Sequence, residues 1–237
     1  MLTAAAAIAE CQAVIFDCAG TLLRLDPPSE EIFRDSAAEL GLDIAMADVA
    51  RAYEIVNFAI QIKSSELTTK AKREEFYAGF NRSLCAALGI DRSYDRLHPL
   101  LLARFATRRH WIAYDDAASA LTAVGARIPV HALANWDRHL DHVLVRAGLR
   151  RLIVDAASSE QLGAEKPARA CFEAFLERNA LDASRVVYVG NEYVADVVGA
   201  RNAGLTPILV DRGNLLPYAD CLRVQSLREL TGPLANV

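Results

Sequence analysis

Five short runs of apolar, largely β-branched positions punctuate the chain, at residues 12–17, 128–133, 151–155, 186–190 and 207–210, and each ends near polar or turn residues. Short runs of continuous apolar character fit strands buried on both faces. Between the later runs, apolar residues recur at helical spacing. Helices are expected over 115–125, ending at Gly125; 137–147, ending at Gly148; 167–179, opening at Pro167; and 194–203, closing at Gly204. Strand and helix in alternation imply an α/β fold with a parallel, doubly wound sheet.

Residues 27–108 follow another pattern. Helical periodicity recurs at 28–40, 46–62, 68–88 and 93–107, with Gly41 and Gly89 as stops and no convincing strand between them. Pro27-Pro28 marks an exit from the alternating pattern, and Trp111 to Asp115 an approximate return. The expectation is a core domain of residues 1–26 and 109–237 with an all-helical domain, 27–108, inserted after the first strand.

Composition narrows the partners. At 237 residues and 53% apolar, the chain can bury a substantial core. A net charge of −4 with interspersed charges offers no patch for nucleic acid or an anionic membrane, which leaves a small molecule or a protein. Cys11, Cys18, Cys85, Cys171 and Cys221 contain no C-x-x-C pair and are odd in number, so neither a disulfide framework nor a zinc site is indicated. The alanine run at 4–7 lacks a basic flank and is short for a signal segment, and no later stretch approaches the ~18 apolar residues of a membrane span. A soluble, cytoplasmic protein is expected.

Four polar segments follow strand ends: Asp17; Ala134-Asn135; Lys166-Pro167; and Gly190-Asn191-Glu192-Tyr193-Val194-Ala195-Asp196. In a doubly wound sheet such loops converge on one crevice. Taken alone, Asp17 would be a turn carboxylate and Lys166 a solvated loop residue. Together with Gln12-Ala-Val-Ile-Phe-Asp-Cys-Ala-Gly-Thr-Leu-Leu23, Gly163-Ala-Glu-Lys-Pro167 and Gly190-Asn-Glu-Tyr-x-x-Asp-x-x-Gly-Ala-Arg-x-Ala-Gly204, they resemble the four motifs of the haloacid dehalogenase (HAD) superfamily. The helical insertion resembles the C1 cap of its subfamily IA.

That resemblance implies a hydrolase of small phosphorylated metabolites. Asp17 would attack phosphorus to give an aspartyl phosphate, and Lys166 would keep it ionised. Mg²⁺ would be held by Asp17 and at the positions of Ala19, Asn191 and Asp196, with substrate oxygens met at Ala134 and Asn135. Three positions depart from the pattern. Ala19 stands where a second aspartate would act as acid and base, Ala134 where a hydroxyl would donate to the phosphoryl group, and Asn191 where a carboxylate would hold metal. A second metal carboxylate would then fall to Asp196 or Glu192. The resemblance therefore implies slow or impaired phosphatase chemistry. The alternatives are a non-catalytic homologue that binds a phosphorylated or carboxylated ligand or a protein partner, and, less favoured, a 2-haloacid dehalogenase-like enzyme that attacks carbon.

Four further positions remain open. Asn135 either donates its amide to a substrate oxygen or supports the turn into a helix starting near Asp137. Trp136 lines the crevice or, more in keeping with its place, packs beside that helix start. His131 reads as a hydrogen-bonded core histidine rather than a base. The loop 63–70 either presents specificity residues or is a solvated turn.

Overall fold

The computed structural model describes residues 3–60, 70–107 and 110–231. The chain divides into two compact units, Met1–Arg24 with Ile112–Val237, and Leu25–Trp111. In chain order, α1 (Ala4–Ala9) leads into β1 (Ala13–Phe16), and β2 (Leu23–Asp26) then opens the second unit. That unit contains α2 (Ser29–Glu39), α3 (Met46–Ile60), α4 (Lys70–Ala87) and α5 (Tyr94–Thr107), and β3 (His110–Ala113) pairs with β2 on the way out. Ile32, Phe33, Val49, Tyr53, Val56, Leu84, Leu97 and Leu101 form its core, with the Phe33 and Tyr53 rings edge to face at 6.0 Å. Each helix contributes one apolar stripe to that cluster, which explains why the segment read as helix after helix. The loop 63–70 lies largely outside the described residues.

The first unit continues with α6 (Ala117–Gly125), β4 (Val130–Ala134), α7 (Leu140–Arg146), β5 (Ala156–Ser158), α8 (Ser159–Leu162), α9 (Arg169–Arg178) and β6 (Val186–Gly190). A π-helical turn at Tyr193–Val198 runs into α10 (Gly199–Asn202), followed by β7 (Thr206–Val210) and β8 (Leu222–Val224). The six-stranded sheet has the order β5-β4-β1-β6-β7-β8, parallel throughout, with β1 between β4 and β6. Every residue of β1, β4 and β6 is buried, as a sheet covered on both faces requires. Ala13, Ile15, Leu133 and Tyr188 share one cluster with Phe172, Phe175 and Leu176 of α9 and Ala200 of α10. The doubly wound α/β expectation holds.

Local differences have physical reasons. The strand expected over 151–155 begins as a 3-10 turn, Arg150–Leu152, and the ladder forms later, with Ala132 opposite Ala156 and Ala134 opposite Ser158. Pairing with β4 selects Ala156-Ala157-Ser158, small residues with little hydrophobic signal of their own, and Val154 is left exposed. The helix expected from Asp137 starts at Leu140, because the Asp137 carboxylate instead accepts from the His139 N–H in a turn at 2.8 Å. The helix expected over 194–203 is divided, its first part being the π-helical turn. Among the described residues no helix is long and apolar enough to cross a membrane, and all five cysteines are free.

Candidate active site

Register places the chemistry. Phe16, the last residue of β1, lies opposite Ala132 of β4 and Val189 of β6, so the next residue, Asp17, emerges at the carboxyl edge between both neighbours. Its N–H donates to Val189 O at 2.8 Å. The chain then folds back around one carbonyl, Cys18 O, which accepts from the N–H groups of Thr21, Leu22 and Leu23. Gly20 takes a left-handed φ of 81°, and a Cβ there would lie 2.4 Å from the Asn191 amide nitrogen. Glycine is required on both counts.

Lys166 is buried and spends all three N–H groups on protein acceptors: Asp17 Oδ1 at 2.8 Å, Asp196 Oδ1 at 2.6 Å and Tyr188 Oη at 2.8 Å. Tyr188 passes its own proton to Leu133 O at 2.7 Å. Each ammonium hydrogen meets an acceptor, and two acceptors are charged, which makes such deep burial tolerable. Burial alone would lower the Lys166 pKa, but Asp17 and Asp196 hold it well above the usual amine range. Burial pushes Asp17 up to about 6 against the opposing pull of Lys166. Burial, and then the Asp196 charge, push Glu192 up to about 7.

The Lys166 backbone is clamped as well. Asn135 Nδ2 donates to Lys166 O at 2.9 Å, and Lys166 N donates to Asn135 Oδ1 at 2.8 Å. Asn135 thus turns its amide to the lysine loop rather than supporting the turn at Asp137. Trp136 is half-buried, its N–H and carbonyl both bonded to the Ser159 hydroxyl. His131 is buried with its ring edge to face on Phe175 at 5.9 Å. Its Nδ1 has no partner among the described residues, so it is not the hydrogen-bonded core histidine expected, and burial lowers its pKa, leaving it neutral.

Asp196 spends both carboxylate oxygens: Oδ1 on Lys166 and Oδ2 on the Glu192 N–H at 2.9 Å. The π-helical turn produces this reach by folding the side chain back over its own start, and a Cβ at Gly190 would lie 2.3 Å from the carboxylate. The sequence expectation of Asp196 as a metal ligand thus meets a residue already committed to Lys166. Ala134, buried at the end of β4, supplies no hydroxyl, and Ala19 offers only its carbonyl. With the Asn191 amide nitrogen turned inward, it donates to Ala19 O at 2.7 Å, Thr21 Oγ1 at 3.0 Å and Asp17 Oδ2 at 3.3 Å. Among the described residues, no group of three or more His, Cys, Asp or Glu side chains is arranged to hold a metal.

Sequence reasoning missed Tyr188, Thr21 and a pair behind the loop. Tyr188 was legible only as a polar tip in the apolar run Val-Val-Tyr-Val-Gly. Arg212 donates to both oxygens of Asp116 at 2.9 Å and to Thr21 O at 2.9 Å, with its guanidinium 3.8 Å from the centre of the Tyr114 ring. No motif signals that link.

A parallel sheet with an aspartate at the end of its central strand and a lysine locked against it defines a Rossmann-like α/β protein with a carboxylate-centred crevice. The chain belongs to the haloacid dehalogenase-like hydrolase family, whose model matches residues 11–204. It is 29% identical over 209 residues to haloacid dehalogenase-like hydrolase domain-containing protein 3 of Danio rerio, which covers 84% of each chain. Similarity to the ribulose-1,5-bisphosphate 5-phosphatase of Halopiger xanaduensis is also 29%, over 212 residues and 84% of each chain. Among solved structures, the HAD-hydrolase YfnB from Bacillus subtilis bound to magnesium has the same fold, with a TM-score of 0.69 at 20% identity over 96% of this chain and 100% of that one.

Proposed function

We propose that the chain hydrolyses phosphate esters of small metabolites through Asp17, at a rate limited by what positions 19 and 134 lack. The carrying observation is the buried Asp17–Lys166–Asp196 cluster at the carboxyl edge of β1. A relative named as a sugar-bisphosphate phosphatase supports the substrate class. In this reading the Asp17 carboxylate attacks phosphorus, the ester P–O bond breaks, and water later hydrolyses the aspartyl phosphate. Lys166 holds Asp17 ionised and offsets phosphoryl charge; Asp196 and Tyr188 orient Lys166, and Asn135 fixes its backbone. The departing alkoxide takes its proton from water because Ala19 has none to give, a loss of roughly 10²–10⁴ in rate. Without a hydroxyl at Ala134, a further loss on the order of 3 kcal/mol of transition-state stabilisation is expected. The inserted residues 27–108 would serve as a cap, and the free cysteines fit a reducing cytoplasm.

The residues fit a single Mg²⁺. Asp17 Oδ2, Ala19 O and, with its amide turned, Asn191 Oδ1 present three hard oxygens to one point, and Mg²⁺ commonly uses one or two carboxylates completed by phosphate and water. When bound it would screen the negative charges of Asp17 and the phosphoryl group.

A screen of phosphorylated metabolites with Mg²⁺ tests the proposal. Slow phosphate release is expected, abolished in Asp17→Asn and raised by at least about tenfold in Ala19→Asp/Ala134→Ser/Asn191→Asp, which restores acid, donor and ligand. No release from the parent and no gain in a folded triple variant would overturn it. A binding-only role is the second reading, favoured by the saturation of every Lys166 N–H by protein acceptors. Halide release from a 2-haloacid would instead support attack on carbon.

A further inference from the structure

Asn191 touches the loop after β1 with one edge of its amide, and either end of that amide satisfies the same position. Turned with Nδ2 inward, it bonds Ala19 O, Thr21 Oγ1 and Asp17 Oδ2. Turned with Oδ1 inward, it accepts from the Thr21 hydroxyl at 3.0 Å while facing Ala19 O and Asp17 Oδ2 as a third oxygen. Three acceptors facing one another without a proton repel; an inward N–H or a cation resolves the conflict. Thr21 is fully buried and its hydroxyl both donates and accepts, so it serves both orientations without moving. Gly20 removes the side chain that would block the amide face.

We propose that Asn191 is a two-position gate at Asp17: with its amide nitrogen inward it closes the cation position, and a half-turn that brings Oδ1 inward opens it. An aspartate at 191 could not do this, because it has no donor with which to occupy the closed state and would repel Asp17 until a cation arrived. The gate therefore trades cation affinity for a satisfied cation-free site. Lys166 stays on Asp17 Oδ1 in both states, and only Oδ2 changes partner. The proposal rests on reading Asp17 as the reactive carboxylate, and its consequence is that cation binding is coupled to a side-chain turn.

The test uses the full chain labelled with ¹⁵N-asparagine, with Asn191→Asp identifying the signal. Without divalent cation, the Asn191 side-chain N–H pair is expected to be shifted and protected from exchange by its bond to Asp17. Titrating Mg²⁺ alone should move that pair and remove its protection, at the same concentrations that calorimetry reports for binding. Asn191→Asp should bind Mg²⁺ at least about tenfold more tightly, because no inward hydrogen bond to a charged partner has to be given up. Mg²⁺ binding with the Asn191 signals unchanged would overturn the gate. So would a wild-type chain that binds no Mg²⁺ at any concentration, or an unprotected Asn191 N–H pair in the cation-free protein. None of these results touches the hydrolase reading, which stands or falls on phosphate release and its loss in Asp17→Asn.

Discussion

Lys166 shows how one side chain sets the behaviour of a site. Its ammonium is enclosed by two carboxylates and a phenol, so removing it leaves two buried negative charges with no counter-ion. Lys166→Met should lose on the order of 3–5 kcal/mol of stability, read by urea denaturation, and should abolish any phosphate release. The same enclosure fixes a pH limb. Asp17 must be ionised to attack, and burial has pushed it up to about 6. Log kcat/KM for any measurable substrate should therefore fall with unit slope below about pH 6, rather than below the usual carboxylate range near 4. A profile flat down to pH 5 would show Asp17 ionised more readily than its burial implies.

At the scale of elements, the π-helical turn Tyr193–Val198 is what makes Asp196 a partner of Lys166. A regular helix from 194 would rotate that carboxylate away from the strand end. Gly190→Ala, whose Cβ would overlap the Asp196 carboxylate, should cost on the order of 2 kcal/mol and lower activity as strongly as it lowers stability. Phe172→Ala tests packing alone: a fully buried ring between α9 and β6 is removed, and a loss of about 3–5 kcal/mol is expected without a change in the pH limb. The late start of β5 belongs here too, since the neighbouring strand decided which residues of 151–158 joined the ladder.

For the whole molecule, the tie between Asp116 and Arg212 joins the start of α6, the end of β7 and the carbonyl of Thr21. Asp116 also accepts from the Ser226 hydroxyl and the Leu227 N–H. Burial would raise its pKa, but these donors prevail and hold it at about 2. A carboxylate lowered on folding stabilises above its unfolded pKa and loses that contribution as pH falls through the folded value. The wild type should thus lose part of its stability between about pH 4 and pH 2, and Asp116→Asn should be destabilised at pH 7 yet show a weaker decline over that interval. Thermal melts across the range would show it; parallel curves for the two proteins would contradict the assignment.

What the sequence determined by itself follows from short-range physics. Continuous apolar runs, helical periodicity and glycine stops specified the α/β core, its parallel sheet and the helices within 27–108, because burial on two faces and amphipathic packing leave their mark on neighbouring residues. Asp17, Ala134, Lys166 and Asn191 were legible because each follows a strand or opens a helix, where α/β folds put their chemistry. Tertiary structure alone decided which atoms meet. That Asp196 is spent on Lys166, that Asn135 clamps the Lys166 backbone, that Tyr188 reaches across the sheet and that Arg212 holds Thr21 are contacts between residues 22 to 191 positions apart. No local pattern encodes such pairings, because they exist only once the strand register has brought those residues to the same edge of the sheet.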